Sequence, residues 1–349
     1  MPARKLDKIF RTAVQYKASD IFITSGSKPA LRINGDIVVI QEHTPFTKQM
    51  AEEFLLEILN PIQKTIFEKN LDLDFSLEVE GIARFRVNLF VQRKGVGAVF
   101  RLIPETVYSF DELGLPQTLK NCIGYKNGLV IVTGPTGSGK STTMAALINE
   151  INDKEAKHII TVEDPIEFIH ENKKSIVEQR ETGNHTKSFE TALRGALREN
   201  PDVIMVGEMR DLETIQLAIT AAETGHLVFG TLHTSGAAKA VSRIIDVFPT
   251  NQQNQIRMQL SETLRSVVWQ TLIKTKDKKG RIPAYEIMFA NNAIANMIRK
   301  EKIFQINSAI ETGTREGMQT MKKALMDLLQ ADLITEEDAM SNIPPEFEA

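Results

Sequence analysis

The chain has 349 residues and one cysteine, Cys122. That excludes an internal disulfide and any zinc site built on several thiolates, and leaves Cys122 its default place as a small buried hydrophobe. Long hydrophobic runs are also missing: none approaches the roughly 20 apolar residues of a membrane-spanning helix. The opening stretch MPARKLDKIF lacks the apolar segment of an export signal, so a cytoplasmic location is expected. There is no basic excess. A formal net charge of −3 argues against a dedicated nucleic-acid binder, which would carry a basic face. The one dense basic cluster, KTKDKKGR (274–281), contains Gly280 and reads as a solvated turn between a helix and a strand. Internal repeats and low-complexity tracts are absent as well. With 42% hydrophobic and 25% charged residues the composition is that of an ordinary globular protein, too long for one core and suited to two or three domains.

Against these absences stands GPTGSGKST at 134–142. It fits G-x-x-x-x-G-K-[ST], the loop that wraps nucleotide phosphates. Gly134, Gly137 and Gly139 let backbone N–H groups turn inward, where a Cβ would obstruct a phosphate, with Pro135, Thr136 and Ser138 between them. Lys140 supplies charge to the β- and γ-oxygens, Ser141 offers a hydroxyl to Mg²⁺, and Thr142 leads into a helix-prone run to Asn152. The anion would then sit at a helix N-terminus. GLVIVTG (128–134) is an apolar, β-branched strand running straight into the loop, as the motif requires. A bound nucleoside triphosphate, ATP or GTP, is the expectation.

Residues 1–103 read as an α+β domain. Strand-like runs occur at 20–24, 30–33, 36–40, 73–79, 83–90 and 97–103, punctuated by turn signals such as Asn34-Gly35, with an amphipathic helix over 47–59 capped by Thr47. Residues 104–127, with Pro104, Gly114, Pro116 and Gly124, read as a linker with a short helix near its end. From 128 to 349 apolar strands alternate with helices, at 128–134, 158–164, 202–208 and 226–233, which predicts a mostly parallel sheet covered on both faces. Beyond about 251 the pattern turns helical, with helices over 251–273, 291–303 and 318–330 and a strand-like run at 281–288. The fold class expected is α/β.

In such sheets ligands bind beyond the carboxyl ends of the strands, and polar residues gather there. The second strand ends in Glu163 and Asp164, the third in Glu208, and the fourth leads to Thr231, His233 and Thr234. Hydrolysis of a γ-phosphate needs a group to position water and a counterion for Mg²⁺, roles that suit Glu163 and Glu208. His233 is placed to sense the γ-phosphate. His226 starts its strand, which puts it far from the phosphates unless a neighbouring subunit approaches. The histidine spacings and the single cysteine do not build a zinc site. Arg84 and Arg86 share one face of a strand, and Arg101 ends the next run. Their spacing leaves open a solvated face or a guanidinium clamp on a phosphate.

Four blocks, GPTGSGKST, IITVEDPIEFIH (159–170), ALRENPDVIMVGEMRD (196–211) and TAAETGHLVFGTLHT (220–234), resemble the phosphate loop, acidic box, Walker B-like segment and histidine box of the secretion and type IV pilus ATPase superfamily. Blocks at 18–36, 81–90 and 98–104 carry the likeness through the first domain, so it spans nearly the whole chain. Within the superfamily the likeness is to the retraction ATPases of twitching motility. The resemblance implies a PAS-like N-terminal domain joined to a RecA-like ATPase domain, a homo-hexameric ring, and ATP with Mg²⁺. It implies work on an inner-membrane pilus platform protein at the cytoplasmic face, with no nucleic-acid partner. Glu163 would be the catalytic carboxylate, Glu208 the Walker B residue supporting Mg²⁺ with Ser141, and His226 and His233 the histidine-box pair. Arg86 and Arg101 would answer the nucleotide's charge, and Arg194 and Arg198 match family arginines. The pilus-assembly and type II secretion branches carry a longer N-terminal region and a tetracysteine insertion, which one cysteine in 349 residues does not fit. One departure concerns retraction itself: the branch carries AIRNLIRE where this chain reads AIANMIRK (293–300), with Ala295 in the place of an arginine. Another pilus or secretion ATPase of the superfamily, or a RecA-like nucleic-acid translocase, is the competing reading.

Overall fold

A computed structural model describes residues 5–33, 35–103 and 107–344. Asn34 of the expected turn and Pro104 of the expected linker lie outside the described residues. The chain divides into two units, one drawing on residues up to 103 together with 165–169, the other on 107–164 and 170–344.

The first unit runs α1 (Asp7–Gln15), β1 (Asp20–Thr24), β2 (Ala30–Ile33), β3 (Asp36–Val39), α2 (Lys48–Glu57), α3 (Pro61–Asn70), β4 (Asp72–Val79), β5 (Ala83–Gln92) and β6 (Gly95–Ile103). Its strands form one antiparallel sheet in the order β3-β2-β1-β6-β5-β4. Period-two alternation explains β5: Ala83, Phe85, Val87 and Leu89 are buried, while Arg84, Arg86 and Asn88 face the other way. The helices start on side-chain caps, Thr47 accepting from the Met50 N–H and Asn60 exchanging bonds with Gln63. Phe10 of α1 packs its ring 4.8 Å from Phe85 and 5.1 Å from Phe100, all three buried.

The second unit continues β7 (Gly128–Thr133), α4 (Lys140–Lys154), β8 (His158–Glu163), β9 (Ile176–Glu181), α5 (Phe189–Ala196), β10 (Val203–Val206), α6 (Leu212–Glu223), β11 (Leu227–Leu232), α7 (Ala237–Asp246), α8 (Thr250–Thr263), β12 (Leu264–Lys274), β13 (Arg281–Phe289), α9 (Asn292–Arg299), α10 (Ile306–Thr312), α11 (Met321–Gln330) and α12 (Glu336–Ser341). Its sheet has the order β13-β12-β7-β11-β10-β8-β9, parallel throughout except for the antiparallel β12–β13 pair. β7, β10 and β11 are buried along their whole length, as strands covered on both faces must be. The architecture is an N-terminal α+β unit followed by a RecA-like ATPase unit.

Three expectations change. The helix anticipated over 251–273 ends at Thr263, and Leu264–Lys274 is a strand beside β7, so the C-terminal portion completes the sheet before it becomes helical. The described part of the anticipated linker, 107–127, packs into the second unit: Phe110, Leu115, Leu119 and Cys122 lie in its main core, the last two on a short 3-10 helix, Gln117–Cys122. Burial pushes the Cys122 thiol up to about 12, which keeps it protonated and inert. Finally, β9 adds an edge strand that the pattern did not announce.

Removing one ring from the Phe10–Phe85–Phe100 cluster leaves a cavity. Phe85→Ala should destabilise the first unit by about 3–5 kcal/mol in a denaturant titration.

Candidate nucleotide site

The phosphate loop leaves the carboxyl end of β7 and opens α4. β12 runs parallel to β7 with Trp269 opposite Thr133, so Gln270 stands alongside Gly134. This makes the crowding specific. A Cβ on Gly134 would lie 2.2 Å from the Gln270 carbonyl oxygen, and one on Gly139 would lie 2.9 Å from Gln270 Nε2. Both glycines also take positive φ. The buried Gln270 side chain ties the loop to the first turn of α4: Nε2 donates to the Ser138 carbonyl at 2.6 Å, and Oε1 accepts from Thr143 Oγ1 at 2.8 Å. Lys140, largely buried, folds back so that Nζ donates to the carbonyls of Gly134 at 2.9 Å and Pro135 at 3.1 Å. Ser141 and Thr142 lie half-buried in the first turn of α4, whose leading N–H groups and dipole favour an anion.

Glu163 ends β8 and is buried. Its Oε1 accepts from Thr161 Oγ1 at 2.7 Å and from Gln179 Nε2 at 3.2 Å. Glu208 follows β10 and is bound on both oxygens, to Arg210 Nη2 at 2.6 Å and to His233 Nε2 at 3.3 Å. Burial works to raise the Glu208 carboxyl. The Arg210 hydrogen bond and charge, with the charges of His233 and Lys140, outweigh it and hold the group below its ordinary value. It is therefore ionised at neutral pH. His233 also brings Nδ1 within 3.5 Å of Thr136 Oγ1, linking the third and fourth strand ends to the loop. At the same level Thr133 Oγ1 donates to the Thr234 carbonyl at 2.8 Å, closing β7 against the end of β11. Hydroxyl and carboxylate oxygens from Ser141 and Glu208 are the hard donors that suit Mg²⁺.

Of the residues picked out from the sequence, Gly134–Thr142, Glu163, Glu208 and His233 all lie at the carboxyl ends of the parallel strands. His226 does not. It precedes β11 at the other end, where its carbonyl accepts from Gly128 N–H, about 20 Å of strand from the loop. Its ring Nδ1 instead meets the Ala221 carbonyl at 2.9 Å. Arg194 pairs with Glu190 at 2.9 Å on α5, and Arg198 is exposed. In the first unit Arg86 and Arg101 are direct cross-strand partners. Arg101 donates to Asp20 at 2.9 Å and remains 69% exposed, and Arg32 approaches the same carboxylate at 3.5 Å. One row across that sheet thus holds three arginines around one buried aspartate, leaving an excess of positive charge. Gln270, Gln179, Arg210 and Arg32 were not picked out; only the strand register brings them to notice.

The chain matches the model of the type II/IV secretion system protein family over residues 2–340. It is 51% identical over 332 residues to the type IV pilus retractation ATPase PilT of Pseudomonas aeruginosa, covering 95% of this chain and 96% of that protein. It is also 51% identical to a twitching motility protein of Neisseria gonorrhoeae, covering 93% of this chain and 88% of that one. Among solved structures, the pilus retraction motor PilT with bound ADP superposes with a TM-score of 0.91 at 46% identity, over 99% of this chain and 98% of that one. With the phosphate loop, the strand-end carboxylates and nearly full-length identity in agreement, the chain belongs to the type II/IV secretion system protein family.

Proposed function

We propose that this protein is a Mg²⁺-dependent ATPase that works as a homo-hexameric motor retracting type IV pili. The observation that carries the chemistry is the convergence of Lys140, Glu163, Glu208 and His233 at the strand ends around a loop whose shape Gln270 fixes. The near full-length likeness to two proteins of pilus retraction and twitching carries the biology.

On this reading ATP's phosphates take the inward N–H groups of the loop, and Lys140 exchanges its contacts with Gly134 and Pro135 for phosphate oxygens. Ser141 and Glu208 would hold Mg²⁺, which when bound offsets charge on the phosphoryl oxygens. Glu163, held by Thr161 and Gln179, orients the water that attacks the γ-phosphorus in line with the leaving ADP oxygen. His233 touches both the loop and Glu208, so it is the side chain that registers loss of the γ-phosphate. The work is delivered to a platform protein at the cytoplasmic face of the inner membrane; among the described residues no helix is long and apolar enough to cross a membrane itself.

Ala295 bears on coupling rather than hydrolysis. Ile294 and Ile298 anchor α9 at 0% exposure, while Ala295 is half-buried and Arg299 exposed. The helix keeps its anchors and loses one surface arginine relative to the retraction branch.

Glu163→Gln keeps the side-chain volume but removes the carboxylate; it should bind ATP and lose turnover by at least about a hundredfold. A wild-type rate in that variant would remove Glu163 from the chemistry. In cells, deleting the gene should give hyperpiliated bacteria that no longer twitch. Bald cells would instead indicate pilus assembly.

A further inference from the structure

β8 and β9 are parallel neighbours with Thr161 opposite Gln179 and Glu163 opposite Glu181. These four side chains therefore share one face of the sheet, two by two. Glu163 ends its strand. The chain then leaves the second unit for residues 165–169 and returns at His170. Gln179 ties the two ends of this excursion: its Oε1 accepts the His170 backbone N–H at 2.8 Å, and its Nε2 donates to Glu163 Oε1 at 3.2 Å.

The direction of the amide is not a matter of choice. A backbone N–H can only donate, so the atom facing His170 is the carbonyl oxygen, and the NH₂ must face Glu163. The His170 ring takes no part in this tie. Burial, with the charge of Lys173, lowers it to about 4, so it is neutral near neutral pH and its charge does not reach the carboxylate. Thr161 Oγ1 donates to the same Oε1 at 2.7 Å from the neighbouring position on β8. Two donors arriving at one oxygen from two strands fix the rotation of the carboxylate plane, which a single bond would leave free to swing.

We infer that Gln179 is a positioning residue for ATP hydrolysis, acting through Glu163: it is anchored by the His170 backbone and holds the Glu163 carboxylate at the angle from which it orients water. The inference rests on Glu163 being the water-orienting carboxylate. On this inference Gln179 acts through Glu163 rather than on the nucleotide itself. Its removal should lower kcat and leave nucleotide affinity alone.

The test compares full-length wild type with Gln179→Glu, Gln179→Met and Glu163→Gln in steady-state ATP hydrolysis, ADP titration and thermal unfolding. Gln179→Glu is isosteric and keeps an oxygen for the His170 N–H, but in its ionised form it cannot donate to Glu163 and sets a like charge beside it. Gln179→Met has similar length, no charge and no donor. Both should lose about tenfold or more in kcat, with the KM for ATP, ADP affinity and melting temperature close to wild type. If Gln179 served only to hold the backbone at His170, Gln179→Glu would keep wild-type kcat; that result overturns the inference. Should Gln179→Glu unfold, Gln179→Met still overturns the inference if it keeps wild-type kcat, and supports it if kcat falls while KM and melting temperature hold. Full turnover in Glu163→Gln would overturn the reading of Glu163 itself, whereas an inactive Glu163→Gln beside a fully active Gln179→Glu would overturn only the role of Gln179.

Discussion

The site depends on one buried amide. Gln270 reaches from β12 to the phosphate loop, donating to Ser138 and accepting from Thr143, so a single side chain spans the loop and the first turn of α4. A phosphate loop binds through backbone N–H groups, and a flexible loop would have to order them at each binding event at a cost in conformational entropy. Here the ordering is built in. Gly134 and Gly139 are required on the same account, because the backbone of β12 and the Gln270 amide occupy the space their side chains would need. Glycine placement and the shape of the anion-binding loop thus follow from one contact between neighbouring parallel strands.

The remaining polar groups divide the labour by their surroundings. Glu208 is surrounded by positive charge from Arg210, His233 and Lys140 and stays ionised, which suits a counterion to a cation. Glu163 is buried and accepts hydrogen bonds from Thr161 and Gln179, which suits a group that must present an oxygen to water in a fixed direction. His233 connects Glu208 to Thr136 and so joins the third strand end to the loop. Within the first unit, taken by itself, Asp20 only partly neutralises the arginine row of the six-stranded sheet.

Much of this was legible in the residues. The loop motif, the strand-end carboxylates and every strand of the first unit stand in the sequence, because glycine spacing and apolar alternation are local signals. What was not legible lies where two patterns run together without a break. NQQNQIRMQLSET passes into LRSVVWQTLI with no glycine or proline between them, so the helical period carried on through a strand that its neighbours β7 and β13 stabilise. Gln270 was hidden with it. β9 is a short, half-exposed edge strand, IVEQRE, whose polar residues are explained only by pairing with β8, and Gln179 was hidden there. Proline and glycine made 104–127 look like a linker, while its buried Phe110, Leu115 and Leu119 belong to the core. In each case the deciding partner is distant in sequence.

The clamp on the loop is the central claim, and nucleotide affinity measures it most directly. Gln270→Leu keeps the bulk and removes both hydrogen bonds, each worth about 1 kcal/mol. Titration calorimetry with ADP should then show affinity reduced by about tenfold or more. An unchanged dissociation constant in a folded Gln270→Leu protein would contradict the account, because the loop would then hold its shape without the strand beside it.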